Sequence, residues 1–295
     1  MKISLVTPCL NAGKTIERTL LSIEAQRFPD LEYIICDGGS TDGTLAIIDQ
    51  YRHIVTKVVS EKDKNVSNAV NKGFRHATGE ILCYLNADDC FEPGALDRVA
   101  RIFAERPEVD VITGGCRRVF ADGSELITQV PENFLHFMSM RNAIEQPSTF
   151  WRASAHRRAG ELDESFFLAF DWEWWNRLQA SGARFLAIPD VLSTYYFTDD
   201  NLTSRAGQRV IDEMYRITRK YGPWQGRIAD VYRFLFRVFD LRGFYDVPFR
   251  ELPRGRQLVF AAMLTVLYGI FGRDLINAYN WNWASKQIRG ITWYK

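Results

Sequence analysis

From residue 3 to residue 113 the chain alternates short apolar runs with stretches of helical spacing, and few folds accommodate that rhythm. Residues 3–6, 31–36, 54–59, 81–85 and 109–113 read as strands. Between them, residues 14–25, 41–51, 67–77 and 93–104 read as helices. The first places Ile16, Leu20 and Ile23 on one face, the second Leu45 and Ile48. Pro93 suits the opening turn of the last. Strands alternating with helices of about 10–15 residues imply βαβ units, an α/β class and a mostly parallel sheet. In open sheets of that kind, ligands bind outside the carboxyl ends of the strands.

Beyond Gly115 the rhythm changes. Residues 117–120 and 125–130 read as a hairpin joined through Ala-Asp-Gly-Ser. Residues 172–180 form a helix with Trp172, Trp175 and Leu178 on its apolar face, and residues 184–188 a short strand. From about residue 203 the chain reads as helix throughout. On residues 227–241, Arg227, Asp230, Arg233, Arg237 and Asp240 fall on one side, and Val231, Leu235, Val238 and Phe239 on the other. Residues 257–272 carry no charge for 16 residues, short of the ~20 a spanning helix needs. They suit a buried helix or one lying in a membrane interface.

Charge divides the chain at the same place. Residues 1–204 hold 21 Lys/Arg and 29 Asp/Glu, a net of −8; residues 205–295 hold 16 and 7, a net of +9. The tail also holds 18 of the 40 aromatics, Trp281, Trp283 and Trp293 among them. Two domains are therefore expected, 1–204 and 205–295, with the second suited to an anionic surface. A net charge of +1 gives no reason to expect a nucleic-acid partner. The five cysteines are scattered with no CxxC, which argues for reduced thiols and a cytoplasmic chain. The four histidines lack zinc-ligand spacing, and the N-terminus lacks a signal-peptide run.

Three stretches carry chemistry. Gly13-Lys14-Thr15 looks like the end of a P-loop, but the position for that motif's first glycine holds Pro8, which has no N–H. ICDGGSTDGT, residues 35–44, places Asp37 at a strand's carboxyl end beside two glycines. The glycines let backbone approach a flat ligand, and the carboxylate can accept from a base or ribose; equally, Asp37 or Ser40 can simply cap the next helix. YLNADD, residues 84–89, sets two adjacent acids beside a buried strand. A divalent cation would offset their repulsion and take diphosphate oxygens on its other side; alternatively, one of them starts the helix that follows.

Taken together, SLVTPCLNAGKTIERTLLSI, EYIICDGGSTDGT, NKGFRHATGEILCYLNADD and FDWEWWNRLQASGARFLAIPDVLSTYY resemble the family 2 glycosyltransferases in order and spacing over roughly residues 1–200. The resemblance implies a GT-A fold, a nucleotide-sugar donor, Mg²⁺ or Mn²⁺, and inversion at the anomeric carbon. By position it places Thr7 and Pro8 at the base with Asp37 bonded to it, and Asp63 and Lys72 around the nucleoside and diphosphate. Asn86 opens the DxD-like place, so Asp88 carries the metal with Asp89 in support. Asp171 takes the place of the catalytic base, at an N-cap position where the helix favours its anion. Gln146 and Trp174 are candidates to face the acceptor, against a plain loop for the one and core packing for the other. Asn68 stands where many relatives carry Asp, and Tyr195-Tyr196-Phe197 where many carry Arg or His.

The function this implies is sugar transfer in bacterial cell-surface polysaccharide or O-antigen assembly, with a saccharide or lipid-linked saccharide as acceptor. The tail then lies peripherally on the inner face of the membrane, or caps the body, or makes a homodimer. The competing readings are a P-loop-like NTPase or kinase and a non-catalytic nucleotide-sugar-binding module.

Overall fold

A computed structural model describes residues 1–197, 207–238 and scattered positions between 253 and 269. It resolves two compact units, Met1–Glu132 with Ile144–Ser204, and Asn133–Ala143 with Arg205–Lys295.

The first unit is built on β1 (Ile3–Cys9), whose seven residues are all buried. On one side it pairs in parallel with β2 (Leu31–Asp37), which pairs with β3 (Lys57–Ser60); on the other it pairs with β4 (Ile81–Tyr84). The register sets Cys9 beside Asp37, Asp37 beside Ser60, and Val6 beside Tyr84. The carboxyl ends of all four strands therefore share one edge. Helices α1 (Ile16–Glu24), α2 (Thr44–Gln50) and α3 (Val66–His76) connect them. α1 buries Ile16, Thr19, Leu20 and Ile23 against the sheet. Each large apolar side chain so buried contributes roughly 1.5–3 kcal/mol.

α3 comes closest to the sheet. A β-carbon on Gly73 would lie 2.4 Å from Val6 Cγ1, so only glycine lets the helix rest there. That contact fixes the height of Asn68, Asn71 and Lys72. At the amino edge, the Glu32 carboxylate, only 6% exposed, accepts from Lys2 Nζ, Ser4 Oγ, and the N–H and hydroxyl of Thr78. Burial pushes its carboxyl up, but these donors outweigh that and hold it at about 2.

Past β4 the sheet departs from simple alternation. Its order is β3-β2-β1-β4-β8-β6-β9-β5, with β8 (Thr149–Arg152) antiparallel to both its neighbours. β6 (Val111–Val119) and β9 (Phe185–Tyr196) are parallel, and β5 (Cys90–Phe91) closes the edge. β7 (Glu125–Thr128) hangs on β6 as the expected hairpin. The strand at 109–113 and the first hairpin arm are one strand, β6, running through Gly114 and Gly115. A β-carbon there would sit 2.7 Å from Asp190 O or Gln129 Nε2 respectively, and the β6–β9 register shifts at that point. β9 is far longer than residues 184–188 suggest; Pro189 sits where its register jumps, and Arg98 of α4 (Ala95–Glu105) grips Asp190 through two bonds of 2.8 and 3.1 Å. β5, β8 and α6 (Ala153–Ala159) are additions that periodicity does not announce. Pro93 precedes α4 rather than opening it, because Gly94 at φ +75 is the N-cap.

In the second unit, α5 (Phe134–Phe137), α8 (Gly207–Tyr221) and α9 (Arg227–Val238) are described, after α7 (Phe170–Ala180) of the first. α8 turns into α9 at Gly226, where a β-carbon would lie 1.8 Å from Arg219 O. Tyr215 then donates to Asp230 at 2.8 Å, and Arg227, Asp230 and Arg233 face outward. Asp240, Phe239, Trp281, Trp283 and Trp293 lie outside the described residues. Among the described residues no helix is long and apolar enough to cross a membrane.

Candidate active site

At the carboxyl edge, the loops after β1 and β2 are laced together. Asn11 N donates to Ser40 Oγ at 2.8 Å, Thr41 N to Asn11 Oδ1 at 2.9 Å, and Gly13 N to Asp42 Oδ2 at 2.9 Å. Gly13's amide is thus spent on a carboxylate, and the β1–α1 loop is no phosphate cradle. Asp37 is buried and does not cap α2, whose N-cap is Gly43. It instead accepts from Gly39 N, Ser40 N and Ser60 Oγ, the last at 2.7 Å. Burial raises its carboxyl, yet these bonds hold it below its ordinary value. Gly39, at φ +89, faces open space. Thr7 and Pro8 are buried within β1, Thr7 accepting from the Tyr33 hydroxyl at 3.1 Å. Pro8 lies beyond the last β1–β4 pair, so its missing N–H leaves no ladder bond unmade.

Asp63 belongs to the same corner. A β-carbon on Gly38 would meet its Oδ2 at 3.0 Å. Lys72, from α3, donates to Asp63 Oδ1 at 2.7 Å and to Lys62 O at 3.0 Å, and pairs with Glu61. Lys72 therefore holds the 61–63 turn against the corner. One turn earlier, Asn68 Nδ2 and Asn71 Nδ2 both donate to Glu164 Oε1, at 3.0 and 3.2 Å, and Lys64 donates to Oε2. Asn rather than Asp at 68 follows from this contact, since a second carboxylate would face Glu164.

The loop after β4 forms a third wall. Asn86 Nδ2 donates to Asp89 Oδ2 and to Gln146 Oε1, both at 3.3 Å. Gln146 Nε2 donates to Tyr84 O at 2.7 Å. Gln146 thus braces this loop through both ends of its amide. Asp88 is half-buried; Asp89 is 0% exposed, and its Oδ1 has no hydrogen-bond partner among the described residues. Burial, then the Asp88 charge, push the Asp89 carboxyl well up. Among the described residues no three His, Cys, Asp or Glu side chains cluster as a full protein cage for a metal. Residues 88 and 89 instead set one half-buried carboxylate beside one orphaned oxygen, hard oxygen donors of the kind that fit a cation shared with phosphate and water.

Asp171 sits in the first turn of α7, not at its N-cap; that position is Ala169. Trp172 N donates to Asp171 Oδ1 at 2.6 Å. Its neighbour Phe170 packs on Tyr84 with ring centroids 6.1 Å apart. Burial drives the Tyr84 phenol well up, and the charges of Asp171 and Asp89 both add to the effect. One phenol thus feels the acid of α7 and the acid of the β4 loop together. Trp174 takes the core-packing alternative of the two the sequence left open. It is 0% exposed, packed against Trp151 at 6.2 Å and His156 at 5.0 Å, with Arg177 over its ring at 4.9 Å. Two further residues are not among the candidates the sequence singles out. Glu164 braces the approach to α7, and Arg18, inside the first of the stretches that carry the resemblance, donates to Asp88 O at 3.0 Å.

A profile of the domain described as Glycosyl transferase family 2 matches residues 4–157, just over half of the 295-residue chain. The chain belongs to glycosyl transferase family 2. One relative in that family, the putative teichuronic acid biosynthesis glycosyltransferase TuaG of Bacillus subtilis, is 31% identical over 147 residues, covering 48% of this chain and 58% of TuaG. The chain spans little more than half, or less, of the length of the first curated relatives it matches. Two solved structures share its fold. S. aureus TarS 1–349, in complex with UDP-GlcNAc, superposes with a TM-score of 0.63 at 16% identity, over 100% of this chain and 93% of that one. Mannosyltransferase PcManGT from Pyrobaculum calidifontis, in complex with GDP-Man and Mn²⁺, gives 0.63 at 16%, over 99% and 87%. At such identities the likeness speaks to the fold, which is the α/β GT-A fold that the family resemblance implied.

Proposed function

We propose that the chain transfers a sugar from a nucleoside-diphosphate sugar to an acceptor hydroxyl, with inversion, in the assembly of a cell-surface polysaccharide. The observation that carries this reading is the packing of Phe170, next to Asp171 on α7, against Tyr84, the last residue of the strand that leads into the Asp88 loop, with ring centroids 6.1 Å apart. The nucleoside end of the donor meets Asp37 and Asp63, bordered by Thr7 and Pro8, with Lys72 holding the turn that closes on it. Asn86 orients the next loop, where Asp88, supported by Asp89, would hold Mg²⁺ or Mn²⁺. When bound, that cation supplies positive charge to the departing diphosphate.

Asp171 accepts the acceptor's hydroxyl proton on a carboxylate oxygen. The hydroxyl oxygen bonds to the anomeric carbon as the bond from that carbon to the diphosphate oxygen breaks, and the nucleoside diphosphate leaves with the electron pair. A carboxylate is a weak base, which suffices where the proton departs late. The family membership and the GT-A neighbours support the reading. Its direct test is sugar transfer by Asp88→Ala and Asp171→Asn, assayed with UDP- and GDP-sugars. Near-normal turnover in either removes that residue's role, and nucleoside-diphosphate binding without turnover on any acceptor favours a non-catalytic module.

The acceptor we propose is a lipid-linked saccharide, met at a membrane surface by residues 205–295. Its net charge of +9 supports this, as do the exposed Phe234 and Leu258 at 64% and 71%. Co-sedimentation with anionic vesicles, compared between the full chain and one ending at residue 204, is the check. Equal binding by both ends the membrane reading.

A further inference from the structure

The loop that carries Asp88 and Asp89 has little ladder of its own. Only the two residues of β5 follow it, and the segment is backed instead by side chains of α1 and of the turn after it. Arg18 Nη2 donates to Asp88 O at 3.0 Å and Thr19 Oγ1 to Asp89 O at 2.8 Å. Phe91 N donates to Ser22 Oγ at 3.2 Å, and Gln26 Nε2 to Glu92 O at 3.0 Å. Arg18 and Ser22 fall at i and i+4 on α1, and Gln26, in the turn just past the helix, carries the series on. Thr19, Ser22 and Gln26 are buried or half-buried, whereas Arg18 is exposed. Arg18 also does something the others do not: its guanidinium carbon lies 3.4 Å from the centroid of the Tyr196 ring, at the end of β9.

We propose that Arg18, laid flat on Tyr196, is a positioning residue that sets the Asp88 backbone for cation and diphosphate binding. The inference rests on the proposed function and deepens it. A carbonyl held by a cation cannot swing its peptide plane, so the direction of the Asp88 side chain is set as well. The stack and the hydrogen bond use different parts of one planar group, the π-face and an edge N–H. Lysine, a point charge without either, cannot do both at once. An exposed bond of this kind adds little to stability, so its removal is expected to be felt at the loop rather than in the fold.

Calorimetric titration of the full chain with UDP and with GDP, each with and without Mn²⁺, tests the proposal. Groups that orient a metal ligand typically change affinity about 10–100-fold when removed. Arg18→Ala and Arg18→Lys should therefore weaken Mn²⁺-dependent nucleotide binding about tenfold, leaving metal-free nucleotide binding and the thermal midpoint unchanged. Tyr196→Leu should follow them, and Tyr196→Phe, which keeps the ring, should bind as wild type. Wild-type affinity in Arg18→Ala and Tyr196→Leu overturns the inference alone. So does an equal loss of metal-free binding, or a loss in Tyr196→Phe as large as in Tyr196→Leu. Absence of any Mn²⁺-dependent binding in the wild-type chain overturns the metal reading of the site and the inference with it.

Discussion

Glu32 and Asp89 are buried carboxylates at opposite edges of the central sheet, and they are treated in opposite ways, whereas Asp37, buried at the carboxyl edge, is satisfied by donors as Glu32 is. At the amino edge Glu32 is saturated with donors and held at about 2. At the carboxyl edge Asp89 is fully buried, one of its oxygens has no partner among the described residues, and its carboxyl is pushed well up. Desolvation acts on both; what differs is whether the chain itself supplies the compensating hydrogen bonds. An acid left short of donors, as Asp89 is, agrees with the cation proposed to sit beside it.

The sharpest way to break this contrast is to alter both edges and compare what fails. At the carboxyl edge, Asp171→Asn keeps shape and hydrogen bonding but cannot take a proton. We expect sugar transfer to fall by about 10²–10⁴-fold, the range for a positioned general base. Asp88→Ala should fall comparably, and both variants should melt within a few degrees of wild type by circular dichroism. A large loss of stability in either would make the carboxyl edge structural and erase the distinction.

At the amino edge the expectation reverses, with stability lost and chemistry kept. Glu32 moves from an ordinary 4.5 to about 2 in the fold, a shift that amounts to roughly 3 kcal/mol. Because the folded value is depressed, that stability is present above pH 4.5 and disappears as the pH falls toward 2. Urea unfolding of the wild type and of Glu32→Gln at neutral pH and at low pH checks it. The variant should start lower and lose less across the window. His156, wedged among Phe74, Trp151 and Trp174, acts in an adjacent window. Burial lowers it from 6.5 to about 4, so stability is full above 6.5 and lost as the pH falls toward 4. A single steep transition confined to the Glu32 window would show that the histidine contributes nothing.

A smaller effect should appear between the two edges, where α3 braces the loop before α7. Asn68→Asp places a carboxylate against Glu164 in a part-buried site, next to Asn71 and Lys64. We expect a cost of about 1 kcal/mol, larger at neutral pH than at pH 4, because protonating either acid relieves the repulsion. A pH-independent change in the unfolding midpoint would mean that packing, not charge, sets the residue at 68.

How much of this was readable beforehand follows from the kind of signal each part gives. The parallel half is written in periodicity, because β1, β2 and β4 are buried on both faces and read as apolar runs. β8 gave no such signal, because TFWR follows a proline turn and is only four residues long. β6 was read as two pieces because Gly114 and Gly115 look like a break, when they are what allows β9 to come close. Of the acids the sequence singles out, Asp37 ends β2, Asp63 and Asp88 follow β3 and β4, and Asp171 lies in the first turn of α7; all four belong to the first unit. Side-chain direction was not legible. Nothing in the sequence says that Gln146 turns inward to Tyr84 O, or that Trp174 is enclosed, since both depend on which elements pack beside them.

The smallest expected effect is the most discriminating for the carboxyl edge. Lys14 follows Gly13 in a stretch that resembles a phosphate loop, and it is exposed. Were phosphates held there, its ammonium would face them, and Lys14→Ala would abolish nucleotide binding. Yet the neighbouring Gly13 N–H points to Asp42, and Pro8 has no N–H to give, so the loop lacks the donors such a cradle requires. Lys14→Ala should therefore leave sugar transfer and nucleoside-diphosphate affinity within about twofold of wild type, as for a surface change away from any such feature. A hundredfold loss would move the diphosphate from the Asp88 loop to the β1–α1 loop. It would also leave the orphaned oxygen of Asp89 without a reason.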